Sequence, residues 1–264
     1  MIDTMFMRVA KILTFARSQP LTNASGFFYL HDEFLYLITA RYVVIDEAAD
    51  HRPDRLQVSL HSDAGDLQQR ADVVIPLYVD GVPQWFQDPQ RGSSVDVVAV
   101  AVNDPHVLNT HDVSTFCRGD IVHSSDAQPL GQNVLILGFP LGFHDTLHNL
   151  PIVRSATIAS SFSHPFKGQP YFLTDARLHR GMSGSPVIVK APGRSGDIDE
   201  FVPEWRLLGI HSSALDVSDR DPNLDERLAL NTTWYASLIP EMLPAKNTTR
   251  VADLHAAKNA AHNS

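Results

Sequence analysis

TDARLHRGMSGSPVIV, residues 174–189, is the stretch of this sequence that carries the most information about fold and chemistry. Gly181 and Gly184 bracket Ser183, and an apolar run begins at Pro186. Gly181 permits a turn in which its own N–H and that of Ser183 point at one spot, and two such donors stabilise the oxyanion of a tetrahedral intermediate. Gly184 leaves room for an incoming carbonyl group. The stretch predicts a nucleophilic serine, and a plain glycine-serine turn between two strands is the alternative.

Short β-rich runs separated by turn residues lie on both sides of this stretch. About six such runs fall in each half of the chain, and their regular spacing is typical of sandwiches and barrels. The prediction is therefore an all-β fold of two six-stranded antiparallel β-barrels packed face to face. The predicted strands cover 26–30, 34–39, 43–45, 56–60, 73–78, 95–102, 120–123, 133–139, 152–160, 171–174, 185–190 and 205–211.

A helix is predicted only near the end of the chain, over 231–243, where apolar residues recur at helical spacing and Asn231 or Thr232 can act as N-cap. The polar segment after the first set of strands is typical of a linker, and the small, polar last residues are typical of a frayed tail. The predicted organisation is an N-terminal β-barrel over 1–103, a linker over 104–119, a C-terminal β-barrel over 120–230, the C-terminal helix over 231–243 and a flexible tail over 244–264.

The composition excludes several classes of function. The 264 residues include Lys+Arg 21 and Asp+Glu 30, for a net charge of −9, without a basic run, which argues against nucleic-acid and membrane-surface binding. The single cysteine, Cys117, cannot form an intramolecular disulfide and fits a reducing compartment. Charged residues interrupt every apolar run of 1–20, so we expect no signal peptide, no transmembrane segment and a cytoplasmic location. His144 and His148 have the i,i+4 spacing of metal ligands but no companions, so no metal is predicted.

The Gly-x-Ser-Gly-Ser-Pro sequence at 181–186 resembles the active-serine motif of trypsin-like serine proteases, especially bacterial members of the HtrA and glutamyl-endopeptidase type. Other pieces resemble that family in the same order: SGFFYLHDEFLYLITARYVV at 25–44 its first hairpin, VDVVAVAV at 95–102 the strand of the catalytic aspartate, and VLILGFPLG at 134–142 a later strand end. The resemblance implies the chymotrypsin fold of disulfide-free bacterial members, acyl transfer without a cofactor, and a peptide or protein bound in the cleft between the barrels. It leaves the oligomeric state and the natural substrate open.

The same resemblance implies a catalytic set with one departure. It makes Ser183 the nucleophile, Asp96 the orienting carboxylate, and the amides of Gly181 and Ser183 the oxyanion hole, but the general-base position after the LYLIT strand holds Tyr42 instead of histidine. Imidazole titrates near neutral pH, whereas a phenol with a pKa of about 10 is a poor base at pH 7. Burial beside Asp96 raises that pKa further, and the phenol can still donate a hydrogen bond to Asp96.

Three explanations of Tyr42 remain open: a natural pseudoprotease, a variant of an active enzyme, or an enzyme with an altered base. They correspond to two functional classes. The first is a serine endopeptidase, impaired or inactive in this chain because Tyr42 replaces the base. The second is a non-catalytic module that keeps the cleft to bind a peptide or partner, and fold alone does not decide between them.

Substrate preference rests on three residues of the resemblance. His211, in the LLGIHS segment at 207–212, matches the histidine with which glutamyl endopeptidases donate to a Glu or Gln side chain at P1, the substrate residue before the scissile bond. Arg177 can add positive charge to that pocket. Leu178 matches a residue that partly fills the pocket in HtrA-like domains, which favours a small P1 side chain. We expect Glu or Gln at P1, and the alternative is that His211 is satisfied internally and Arg177 faces solvent.

Overall fold

The computed structural model of the protein describes residues 3–102, 104, 107–126, 128–191, 204–215 and 228–244, and the chain there is predominantly β-structure. The helices are all of one turn or little more. The strands are β1 Val9–Ala16, β2 Gln19–His31, β3 Phe34–Thr39, β4 Arg55–His61, β5 Arg70–Pro76, β6 Tyr78–Val79, β7 Val82–Pro83, β8 Trp85–Gln87, β9 Val98–Ala101, β10 Asn133–Gly138, β11 Ile152–Ile158, β12 Tyr171–Asp175, β13 Pro186–Lys190, β14 Trp205–Ala214 and β15 Leu230–Tyr235, and the helices are α1 Arg41–Val44, α2 Val107–Thr110 and α3 Leu238–Met242.

The first half of the chain forms one antiparallel sheet of seven strands in the order β5-β4-β1-β2-β3-β9-β8. The tight turn between β2 and β3 holds Asp32 and Glu33 at positive φ, and β1 lies in the middle of the sheet between β4 and β2. One face buries a continuous apolar layer that includes Ile12, Leu37 and Leu56. The predicted all-β architecture is thus confirmed, although this half has nine strands where the prediction gave six: seven in the sheet, and β6 and β7 paired with each other.

The second half closes into a six-stranded barrel in the order β10-β11-β12-β15-β14-β13, as the sequence predicts. All neighbouring strands in it run antiparallel. A buried layer shared by both halves joins the barrel to the first sheet: Phe27 and Ala99 come from the first half, and Phe139, Ile210 and Trp234 come from the second. Because the two halves bury this layer together, the ends of their strands meet along one line.

Three predicted elements are wrong. Residues 120–123, predicted as a strand, begin at the end of a short 3-10 helix and form only an isolated bridge from Ile121 to Leu207, so β15 supplies the sixth strand of the barrel. Residues 43–45, predicted as a strand, lie in and just after helix α1. The helix predicted over 231–243 is strand β15 as far as Tyr235, and only α3 is helical. Strand β15 is buried on both faces, because Tyr235 packs in the core of the barrel and Trp234 in the layer shared by the two halves, so its apolar residues do not alternate and imitate helical spacing.

The strand β1 and the linker also differ from the prediction. Residues 9–16 form a central strand that no predicted element covers. The segment predicted as a linker contains helix α2, and its Phe116 is fully buried edge-on against Phe27, with ring centroids 5.3 Å apart. The predicted tail lies outside the described residues beyond Pro244. No helix within the described ranges is long and apolar enough to cross a membrane.

Candidate active site

The serine loop between β12 and β13 is shaped by two glycines with positive φ. Gly181 has φ +92° and Gly184 has φ +87°, backbone angles that residues with a side chain rarely adopt. A Cβ on Gly184 would lie 2.1 Å from the carbonyl oxygen of Ser25, so the loop packs directly on the first sheet at this point. This packing presents Ser183 at the junction of the two halves.

The amides of Gly181 and Ser183 are available to a ligand. Within the described part of the chain, neither N–H donates a hydrogen bond to the protein. The Arg180 carbonyl, which precedes the Gly181 amide, is occupied elsewhere, because it accepts from the Leu141 N–H at 2.6 Å. Two amides of one turn without acceptors are the arrangement that an oxyanion hole requires.

The Ser183 hydroxyl lies between Tyr42 and Ser212. The Tyr42 hydroxyl donates a short hydrogen bond to Ser183 Oγ, and Ser183 Oγ donates to the Ser212 carbonyl at 2.6 Å. The phenol therefore contacts Ser183, where the sequence analysis allowed a bond to Asp96. Although 38% of Tyr42 is exposed, burial of its hydroxyl end raises its pKa, and the negative charge of Asp96 adds to the shift. A neutral phenol that donates to the serine cannot accept the serine proton.

Asp96 is held where it can orient a group at position 42. Its Oδ1 accepts the backbone N–H of Tyr42 at 2.9 Å, and its Oδ2 accepts the hydroxyl of Ser212 at 2.5 Å. Burial raises the pKa of Asp96, against the hydrogen bonds from Ser212 and from the backbone of Tyr42 and Arg41, which favour the carboxylate. The carboxylate thus accepts no hydrogen bond from the phenol hydroxyl, and each of its oxygens accepts one from the backbone of Tyr42 or from Ser212.

A cleft of about 600 Å³ opens beside Tyr42 and Asp96. Its floor is aromatic, since Tyr171 and Trp234 meet edge to face with ring centroids 5.2 Å apart. Arg41 stands at its rim and binds Glu47 through two hydrogen bonds, which lower the pKa of Glu47 to about 2. The residues that line the cleft are Arg41, Tyr42, Ile45, Asp46, Ser93, Ser94, Asp96, Gln169, Tyr171, Ser212, Ser213, Thr232 and Trp234.

None of the three predicted P1 residues lines that cleft. His211 is 3% exposed behind the serine loop, and its carbonyl accepts the Gly184 N–H at 2.8 Å. Its Nδ1 has no partner among the described residues, and burial lowers its pKa to about 3, so the ring is neutral. Leu178 is half-buried against the core of the barrel, and the side chain of Arg177 is exposed. Arg177 and Leu178 lie within the serine loop itself, and of the three residues only His211 packs against the loop from another strand.

Ser212 and Ser25 were missed by the sequence analysis. The Ser212 hydroxyl donates a hydrogen bond to Asp96, and the Ser212 carbonyl accepts one from the Ser183 hydroxyl. Ser25, on the first sheet, donates to the Gly181 carbonyl of the serine loop. Ser212 directly follows His211, so its place next to a predicted pocket residue was the available signal. No group of residues that could hold a metal ion is present in the described ranges.

Comparison with known proteins agrees with this geometry. A family model for the trypsin-like peptidase domain matches residues 24–194. The serine endoprotease of Yersinia pestis has a similar fold, with a TM-score of 0.52 and 12% identity over 89% of this chain and 61% of that longer chain. The inactive form of Rv3671c of M. tuberculosis, a serine-to-alanine mutant, gives a TM-score of 0.47 and 17% identity over 92% of this chain and 90% of that chain. A search of curated proteins found no match.

Proposed function

Because this chain belongs to the trypsin-like peptidase family, we propose that it is a serine endopeptidase domain in which acyl transfer through Ser183 is arrested at the proton-transfer step. The single observation that carries this proposal is the hydrogen bond from the Tyr42 hydroxyl to Ser183 Oγ. In an active member of this family, a histidine takes the serine proton and later gives it to the leaving amine. Here the neighbouring side chain only donates a hydrogen bond to the serine oxygen.

The remaining parts of the reaction are retained. The amides of Gly181 and Ser183 can receive the oxyanion, because no acceptor in the described chain occupies them. Asp96 already accepts the backbone N–H of residue 42 and the Ser212 hydroxyl, as a carboxylate that orients an imidazole must. Oxyanion stabilisation survives the loss of the base, so the unaltered chain keeps at most residual turnover.

The alternative is a pseudoprotease that binds a peptide or partner in the cleft without cleaving it. The observation in its favour is that the Ser183 hydroxyl already makes two hydrogen bonds: it donates to the Ser212 carbonyl and accepts from the Tyr42 hydroxyl. The exposed residues Ser213 and Ala214 of β14 offer backbone groups to an added peptide strand. A fluorophosphonate probe separates the two functions: labelling of the unaltered chain that disappears in Ser183→Ala shows an activated nucleophile.

The decisive experiment for the peptidase proposal is Tyr42→His. Peptide hydrolysis should rise by about 10²–10⁴-fold, because a base then stands between Asp96 and Ser183. Tyr42→Phe is the matched control: it removes the phenol hydroxyl without supplying a base and should stay as slow as the unaltered chain. A folded Tyr42→His protein that neither cleaves peptide libraries nor reacts with fluorophosphonate would falsify the peptidase proposal.

For the P1 residue we infer Glu or Gln. The unpartnered Nδ1 of the neutral His211 supports this preference, since an imidazole N–H can donate to a carboxylate or carboxamide. Half-buried Leu178 supports the competing preference for small side chains. Profiling the Tyr42→His protein with a peptide library decides between them, and a preference that persists in His211→Leu would exclude a role for His211.

A further inference from the structure

Ser25 is a buried serine on β2, at the point where the first sheet meets the serine loop. It is completely buried, and all of its polar groups are engaged. Its Oγ donates to the Gly181 carbonyl at 2.7 Å and accepts from the Phe139 N–H at 2.9 Å. Its backbone N–H donates to the Ser183 carbonyl at 3.0 Å, and its own carbonyl accepts from Thr39 Oγ1 at 2.8 Å. One residue of the first half thus holds both ends of the Gly181–Ser183 turn.

These contacts affect the directions in which the N–H groups of Gly181 and Ser183 point. The N–H of a residue lies in one peptide plane with the preceding carbonyl, so the Gly181 amide is fixed where Leu141 N–H anchors the Arg180 carbonyl, and the Ser183 amide where Ser185 N–H anchors the Met182 carbonyl. Ser25 anchors the carbonyls of Gly181 and Ser183 themselves, so it fixes the peptide group that follows each of these two amides. A Cβ on Gly138 would lie 2.6 Å from Ser25 Oγ, so the hydroxyl occupies space that is open only because residue 138 is a glycine. The turn is therefore kept in one conformation by a contact from outside its own strand pair.

We propose that Ser25 is a positioning residue of the oxyanion site: its hydroxyl and amide hold the peptide groups that follow Gly181 and Ser183, and this helps to keep the N–H groups of these two residues facing the same point. The catalytic part of this inference, the effect of Ser25 on turnover, rests on the proposed function. Its structural content, the alignment of two amides, stands on the hydrogen bonds alone. Ser25 itself does not touch the reacting atoms.

The kinetic test uses the Tyr42→His protein as background. Ser25→Ala should lower kcat by about 100-fold and leave KM nearly unchanged, because the misaligned donors act on the transition state. Ser25→Cys keeps a weak donor and acceptor at the position and should give an intermediate kcat. Thr14→Val is the matched control, since it removes another fully buried hydroxyl of the same sheet, hydrogen-bonded to Thr22. It should lower thermal stability without changing kcat.

The second test is made on the unaltered chain and does not depend on turnover. Ser25→Ala should shift the amide NMR resonances of Gly181 and Ser183 and speed their hydrogen exchange, whereas Thr14→Val should leave both unchanged. If Ser25→Ala behaves like Thr14→Val in both tests, the proposal is overturned and Ser25 has only a structural role. If the Tyr42→His protein is inert, the proposed function fails, while the amide resonances still decide the role of Ser25. Should Ser25→Ala not fold, Ser25→Cys carries both measurements.

Discussion

Acidification should destabilise this protein through His211. The ring is fully buried and neutral, with a pKa lowered by burial to about 3, whereas an unfolded chain binds a proton at its ordinary pKa of about 6.5. Between these values the unfolded state holds one more proton than the folded state, so stability is complete above the unfolded pKa and is lost as the pH falls toward the folded one. The loss is about 1.4 kcal/mol for each pH unit, or about 2.7 kcal/mol at pH 4.5.

Urea unfolding followed by tryptophan fluorescence between pH 7 and pH 4.5 measures this loss. Between pH 7 and pH 4.5, the free energy of unfolding should fall by about 2.7 kcal/mol less in His211→Leu than in the unaltered chain. His164→Leu is the matched control, because His164 lies exposed in a loop and its replacement should keep the acid sensitivity of the unaltered chain. Parallel stability curves for the unaltered chain and His211→Leu would refute the argument that burial keeps this histidine neutral.

Three further outcomes follow from the site. Gly184→Ala should lower the free energy of unfolding in urea by about 3 kcal/mol or more, and Gly131→Ala by only about 1–2 kcal/mol. Both glycines have positive φ, but only at Gly184 would a Cβ meet neighbouring atoms, so equal losses would contradict the packing argument. The unaltered chain should gain no turnover as the pH rises from 7 to 9, because the pKa of Tyr42 is raised; a rise that Tyr42→Phe abolishes would show a phenolate base. In the Tyr42→His protein, Asp96→Asn should lower kcat by about 10⁴-fold in a peptide assay, and an unchanged kcat would remove Asp96 from the mechanism.

The strands and the serine loop were predictable because their signals are local. Alternating or continuous apolar runs bounded by turn residues mark strands such as β3 and β10, and the glycines around Ser183 mark a turn with special φ values. The resemblance to one family placed Asp96 and Tyr42 in the same site before their contacts were known. Local pattern and family order together were sufficient for the fold and for the turn that presents Ser183.

The parts that were missed depend on contacts distant in sequence. The strand β15 imitated a helix because the barrel core covers one of its faces and the layer between the two halves covers the other, which no local period reveals. The hydroxyl of Tyr42 hydrogen-bonds to a serine 141 residues away and not to Asp96, and the sequence does not show which of the two side chains the phenol meets. Ser25 carries no pattern at all, since its role comes from the groups that the second half brings against it.

The separation of these contacts along the chain has a consequence for folding. Ser25 meets Phe139 across 114 residues and Gly181 across 156 residues. Contacts that close such long loops form slowly, because the chain entropy is lost before the contact stabilises anything. The serine turn therefore receives its final shape only after both halves have folded and docked. A nascent or half-folded chain lacks the contacts of Ser25 with Phe139 and Gly181, so under the proposed function its hydrolytic capacity is withheld until folding is complete.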